Sequence, residues 1–536
     1  MKLNFLLILV LFLGIKSYAQ DSKNILFTID NEPYYTDEFM FVYKKNLHIV
    51  PDSNENSIEN YLQLFVDYKL KVKSAKEAGL DTLQDFKNEL SQYKSSLILP
   101  YLKDEKVTNK LVKEAYGRLK KEVKASHILI FTKPDDLPND TLKAYEKILE
   151  ARNLVLQGKD FSEVAKQYSQ DPSVANNGGE IGYFTALQMV YPFENVAYTT
   201  AAGEVSKPFR TKFGFHILKV EDIRDSEGEV EVAHIMFKDN SAVTGKKVDS
   251  IYKVLLNIPA SFDALAVQLS EDNASAQNGG KLRKFSYGQM IDAFSDVAFS
   301  LQNSGDISKP FQTMYGWHIV KLIKKYPIES FEELEPKLLQ QVENDERSNL
   351  IGKSVIDRLS SAYKIDVNEA ALNQFNLDDW KTNPEKFQQK LIKIQERAIY
   401  QDTFIQFLKT ASNAFVNEQF KMFKEQEILN YYKDNIELTN KEFAAIYKEF
   451  EEGLLLFEML EMQVWEKSKD SIGLANFYDS NKASIYADKD LESNKGLIIS
   501  DYQNYLEKMW VKGLHQKYKV EFKEEERKQL LEAKID

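Results

Sequence analysis

Apolar and polar residues alternate along this chain in two rhythms, one fitting short strands and one fitting amphipathic helices. Ile25 to Asp30 predicts a short strand, Asn31-Glu32 a turn, and Thr36 with Phe39 and Phe41 the start of a helix. Tyr61, Leu64, Phe65, Tyr68, Leu70 and Val72 then make a helical stripe, and Leu111 to Lys121 predicts a further helix. Val123 to Phe131 is rich in branched apolar residues and predicts a strand. Leu142 to Leu156 has helical periodicity and stops at Gly158, and Phe161 to Tyr168 predicts a shorter helix. A turn-rich stretch from Asp171 to Gly179 leads into short strands near Ile181 to Phe184, Ser206 to Phe209 and His216 to Val220. The same order then recurs and ends near Ile323. Beyond Pro327, Ser330 with Glu333 fits a capping box. Phe331, Leu334, Leu338 and Val342 share one helical face, on which Pro336 predicts a kink or a restart. The remainder reads as mainly helical, with one long amphipathic stretch from Leu438 to Lys467. Tyr363 to Val367 and Tyr518 to Phe522 read as strands, either of which could pair with the Ile25 strand and tie the chain ends together.

The recurrence is a duplication. Four of the six histidines sit in it. One copy runs from Ala125-Ser126-His127-Ile128-Leu129 through Gly178-Gly179-Glu180-Ile181-Gly182 to Ser206-Lys207-Pro208-Phe209 and Phe213-Gly214-Phe215-His216-Ile217. The other runs from Val232-Ala233-His234-Ile235-Met236 through Gly279-Gly280-Lys281-Leu282-Arg283 to Ser308-Lys309-Pro310-Phe311 and Tyr315-Gly316-Trp317-His318-Ile319. The glycine pairs lie 101 residues apart. Spacing is kept at further positions: Asp171 and Asp272, Met189 and Met290, Phe193 and Phe294, Thr211 and Thr313. Five regions follow: a leader over 1–19, a mainly helical region over 20–122, repeats over 123–224 and 229–326, and a mainly helical region over 327–536. The fold class is α+β, two tandem α/β domains with helical flanks.

Composition narrows the setting. At 536 residues the chain is too long for one core. A net charge of −12 argues against nucleic acid and against docking on anionic lipid. Lys2 followed by the apolar run Phe5 to Ile15 is too short to span a bilayer. Ser17-Tyr18-Ala19 then offers small residues for cleavage after Ala19. The expectation is export to the periplasm and no stable membrane insertion after the leader is removed. A retained anchor is the competing reading. The absence of cysteine excludes disulfides, thiolate metal sites, thiol catalysis and a lipid anchor on cysteine.

The repeats resemble parvulin-type peptidyl-prolyl cis/trans isomerase (rotamase) domains. The resemblance rests on the opening His-Ile, the Gly-Gly-x-Ile-Gly-x-Phe block, the Gln-Met before a Phe, and the closing Gly-Glu-Val-Ser-x-Pro-Phe-x-Thr-x-Phe-Gly-x-His-Ile. It covers about 200 residues. The whole layout is similar to the SurA and PpiD group of periplasmic chaperone-isomerases. The resemblance implies a proline pocket of Ile181, Met189 and Phe193, with Phe213, and in the second copy of Leu282, Met290 and Phe294, with Tyr315. His127, Asp171, Thr211 and His216, and likewise His234, Asp272, Thr313 and His318, would form a hydrogen-bonded cluster beneath it. No metal or cofactor is implied. The histidines could equally be satisfied core residues holding strands together. The expected partners are unfolded or proline-containing polypeptides, outer-membrane proteins among them by family analogy. A non-catalytic holdase chaperone that uses the repeats as peptide-binding modules is the alternative. Gly182 faces Arg283 across the duplication, so the first copy is expected to be the better catalyst. Leu454 to Met462 is rich in flexible apolar residues, suited either to promiscuous contacts or to a buried helix face.

Overall fold

A computed structural model describes residues 24–46, 58–133, 136, 138–377, 379–410 and 415–532. The expected leader and its cleavage point at Ala19 lie outside the described residues. The chain divides into two compact units, one from residues 1–100 with 433–536 and the other from 101–432.

Both repeats lie in the 101–432 unit. In the first, Lys121–Phe131 and Gly214–Asp225 pair antiparallel from end to end, Lys121 opposite Asp225 and Phe131 opposite Gly214. Glu180–Phe184 flanks one side of this pair and Phe209–Thr211 the other, giving a four-stranded sheet. Strand alternation sends Ile128, Ile130 and Ile217 to one face, where the helices Pro138–Leu156 and Phe161–Tyr168 cover them with Ile148, Phe161 and Val164. Val123, Ala125, Leu218 and Val220 go to the other face, under Phe193 and Ala197 of the helix Tyr191–Thr199. His127 and His216 share the parity of that second set, so the sheet aims both at Phe193.

The second repeat pairs Glu229–Phe237 with Gly316–Tyr326, and that strand with Phe311–Thr313. Its counterpart of Glu180–Phe184 is reduced to isolated bridges, Val230 with Phe285 and Ala233 with Lys281. The two segments differ at the bulge. Gly182 stands at a bulge with φ +70°, opposite Ala125. A left-handed residue costs about 1–2 kcal/mol when it is not glycine. Arg283 does not adopt that conformation, and regular pairing is lost.

The helices Glu105–Leu119, Phe331–Asn344 and Arg347–Ala362 pack together through Leu111, Val112, Ala115, Leu338, Val342 and Ile351, with Leu187 and Tyr191 of the first repeat against them. The helical stretches expected over 20–122 and 327–536 are thus each divided. Their repeat-proximal helices belong with the repeats, because apolar stripes more than 200 residues apart match one another. Ser330 and Glu333 form the full capping box, and the helix runs through Pro336 without a restart. Ile365–Val367 pairs within a separate small sheet with Lys390–Ile394.

In the other unit, Ile25–Ile29 and Glu32–Tyr35 form a hairpin around Asp30 and Asn31, both left-handed. Val520–Phe522 completes the sheet, with Phe27 opposite Phe522. Of the two strands read as partners for Ile25–Ile29, this is the one that pairs with it. Lys69, 1% exposed, binds Glu38 at 2.5 Å and Glu452 at 2.6 Å, joining helices from both ends of the sequence. The stretch read as one helix from Leu438 to Lys467 begins afresh at Asn440, whose side chain caps Lys441–Leu460. Leu455 and Met459 are buried in this unit, whereas Phe457 and Met462 are exposed.

Candidate active sites in the two repeats

Each repeat gathers its histidines, one phenylalanine and one threonine into a buried cluster. In the first, His127 and His216 are nearly parallel with ring centres 5.8 Å apart. Phe193 meets both edge-on, at 5.6 and 5.7 Å. Thr211 Oγ1 pairs with His216 Nε2 at 2.8 Å and accepts the Phe213 N–H at 3.1 Å. His127 Nε2 lies 3.1 Å from Asp171 Oδ2, and Asp171 Oδ1 accepts two hydrogen bonds from Ser173. The second cluster repeats the geometry: His234 and His318 at 5.8 Å, Phe294 edge-on at 5.7 and 5.6 Å, Thr313 to His318 at 2.8 Å. His234 Nε2 is 2.8 Å from Asp272 and 3.1 Å from Ser275 Oγ. The first copy has Val174 where Ser275 stands, so the His–Asp contact is the less heavily bonded of the two.

Burial sets the charge. It pushes His216 down to about 3, helped by His127. Burial and His234 push His318 down to about 4. Burial also lowers His127, although Asp171 opposes it. Burial works against the charge of Asp171, yet Ser173 and His127 hold its carboxyl below the usual range. Asp272 behaves alike, held by Ser275 and His234. His216 and His318 are therefore neutral at neutral pH. The Nδ1 atoms of all four rings are buried without a hydrogen-bond partner among the described residues. No group of three His, Asp or Glu among the described residues is arranged to hold a metal.

Ile181, Met189 and Phe193 join one apolar cluster, and Leu282, Met290 and Phe294 join its counterpart. Phe213 and Tyr315 are not brought into either. These residues are 47% and 55% exposed on the turn, and their backbone N–H groups reach the threonines. The residues missed in the sequence are Phe209 and Phe311, stacked on His216 and His318 at 5.3 and 5.4 Å. The duplicated Lys-Pro-Phe motif carried that signal.

The rims of the two pockets differ. In the first, Leu187 adopts φ +66° just before Met189. Its N–H is held at 2.8 Å by Oε2 of Glu194, a fully buried carboxylate. The other oxygen, Oε1, takes Arg118 at 2.9 Å and the fully buried Arg347 at 2.5 Å, both from helices outside the repeat. Arg347 also pairs with Asp345 and lies 4.4 Å over the Tyr191 ring. In the second repeat the turn is Gly288, φ +84°, and Ser295 stands where Glu194 does.

The repeats also touch. Gln188 donates to Ser286 Oγ and to the Tyr287 carbonyl, and Arg224 lies between the Tyr183 and Tyr287 rings at 3.6 and 4.1 Å. A side chain at Gly182 would collide with the Asp292 carboxylate.

Comparison with known proteins matches the rotamase, PPIC-type PPIASE domain twice, at residues 127–222 and 234–324. The foldase protein PrsA of Geobacillus sp. is 31% identical over 219 residues, 40% of this chain and 72% of that protein. The chain belongs to the PPIC-type parvulin family. The chaperone SurA of Pseudomonas fluorescens is 33% identical over 224 residues, 40% of this chain and 52% of its own length. The chain thus spans about half the length of the SurA relatives it matches. Among solved structures, the parvulin of Nitrosopumilus maritimus is 34% identical, covering 19% of this chain and 95% of its own, with a TM-score of 0.16. Both clusters fall inside the matched parvulin segments, which open at His127 and His234.

Proposed function

We propose that the chain is a peptidyl-prolyl cis/trans isomerase and folding chaperone for unfolded exported polypeptides. The first repeat is its main catalyst, the periplasm its compartment, and unfolded outer-membrane proteins its natural clients. The observation that carries the reading is the doubled His–Phe–His cluster with a Met beside it, in a chain of parvulin membership. Rotation about an X-Pro bond faces a barrier of roughly 18–20 kcal/mol. A thousandfold acceleration needs about 4 kcal/mol of preferential stabilisation of the twisted amide. No nucleophile is required. Ile181, Met189 and Phe193 bury the proline ring and exclude water. The planar amide, which relies on solvent hydrogen bonds, then loses more than the twisted one. The neutral, stacked histidines hold Phe193 and supply fixed dipoles instead of a charge. His127, His216, Asp171 and Thr211 act as the scaffold of the pocket, as do His234, His318, Asp272 and Thr313 in the second repeat.

The test measures proline-peptide exchange and suppression of client aggregation on the same proteins. Met189→Ala with Phe193→Ala should lose most of the exchange activity, and Met290→Ala with Phe294→Ala much less. Retained aggregation control in the first variant would separate holding from catalysis. Absence of both activities in the wild type would overturn the proposal.

A further inference from the structure

The rim of the first proline pocket does not end at the repeat. Leu187 to Tyr191 forms one wall of a cavity of about 640 Å³, and the hairpin from Gln340 to Asn349 forms the other. That volume lies within the range of roughly 300–1,000 Å³ typical of ligand sites. Met189 belongs both to this cavity and to the apolar cluster of the proline pocket. The two sites are therefore neighbours that share one side chain.

The walls are locked together from behind. Glu194 holds Leu187 N–H on one wall with Oε2 and Arg347 on the other with Oε1. At one side Lys212, the residue after Thr211, pairs with Glu346 at 3.7 Å. The far wall carries a run of exposed carboxamides: Gln340, Gln341, Asn344 and Asn349. None of these amides is engaged by a described residue. A carboxamide offers both donors and an acceptor, the same complement as a peptide unit. Such a wall matches the hydrogen-bonding groups of an extended backbone.

We infer that this cavity is a second client subsite, taking the extended, unfolded segment that adjoins the proline bound in the first repeat. The inference rests on the isomerase reading for the identity of the neighbouring pocket. The occupant follows from that adjacency: a chain with its proline beside Met189 would leave it past the amide wall or into solvent. The rim turn of the second repeat lies instead against Gln188 and Tyr183 of the first.

The experiment compares a proline tetrapeptide with a long unfolded proline peptide on the full chain. The variant is Gln341→Ala, Asn344→Ala and Asn349→Ala together, all on the exposed surface and outside the Glu194 clamp. Loss of two or three backbone hydrogen bonds should weaken binding of the long peptide roughly 5- to 10-fold. Tetrapeptide exchange should stay unchanged. Equal affinity of variant and wild type for the long peptide would overturn the subsite. So would an equal loss on both peptides. Binding is read by fluorescence anisotropy, independent of catalysis. A wild type that binds the long peptide through the amides but exchanges no proline would sink the isomerase reading and leave the subsite standing.

Discussion

The two repeats share an interior and differ at the edge. Threonine to histidine is 2.8 Å in both, and the paired histidine rings are 5.8 Å apart in both. Ser206 and Ser308 each accept a backbone N–H of the closing strand, at 3.0 and 2.9 Å. What duplicated faithfully is the packing that the sheet itself dictates. What diverged most faces a neighbour: the Gly182 strand against Arg283, and Leu187 with Glu194 against Gly288 with Ser295. The second repeat makes its rim turn with a glycine and needs no help. The first uses a leucine in a glycine conformation and relies on a carboxylate, which in turn relies on two arginines from flanking helices. Its pocket is wired to the rest of the 101–432 unit.

The strongest way to break the comparison is Glu194→Ala. It leaves Arg347 buried and half-paired and frees the Leu187 N–H, a type of loss that costs about 3–5 kcal/mol. Denaturant unfolding should register that loss in the 101–432 unit, and proline exchange should fall with it. Ser295→Ala, its counterpart, should cost under about 1 kcal/mol. Equal costs would mean that the rims are equivalent after all. Next come Phe193→Ala and Phe294→Ala. Each empties the centre of a cluster and should cost about 3–5 kcal/mol, yet only the first should abolish most of the exchange.

Gly182→Arg imposes the second repeat's residue on the first. It places a side chain at φ +70° and against Asp292, and should destabilise by roughly 1–3 kcal/mol. Calorimetry would show it, with a matching drop in exchange rate. Arg283→Gly has no strain to relieve and should change stability by only a few tenths of a kcal/mol.

The pH response sharpens what the clusters have in common. His216 and His318 have folded values of about 3 and about 4, against about 6.5 when unfolded. Between these values the unfolded chain takes up more protons, so stability is full above about pH 6.5 and falls as the pH drops towards 4 and 3. Exchange rates should be flat from about pH 6.5 to 8. A step in that window would show a histidine titrating in the catalytic state.

Much of the repeats was legible because their signals are local or duplicated. The Ser330–Glu333 capping box, the strand parity that gathers His127 and His216, and the spacing of Met189 and Phe193 all follow from short-range pattern. The Glu194 clamp was not legible. Its partners lie 76 and 153 residues away, and Glu194 itself sits in Phe193-Glu194-Asn195 like any exposed helical acid. The outward position of Phe213 and Tyr315 was not legible for a related reason. They adjoin the threonines in sequence, but the turn directs their rings outward. The affinity of Leu111 and Val112 for Leu338 and Val342 is likewise a match between two stripes that each look complete on their own.

The sheet that joins Phe27 to Phe522 carries a consequence for biosynthesis. At a synthesis rate of roughly 5–20 residues per second, about 25–100 s separate the appearance of these two strands. The first hairpin must therefore wait for its third strand until nearly the whole chain has been made, with only near neighbours such as Tyr34 and Phe65 to cover Phe27. The intervening 101–432 unit can complete its own core in that interval and shorten the loop that remains to be closed. A protein proposed to shelter unfinished chains would pass through a stage in which its own first strand is one.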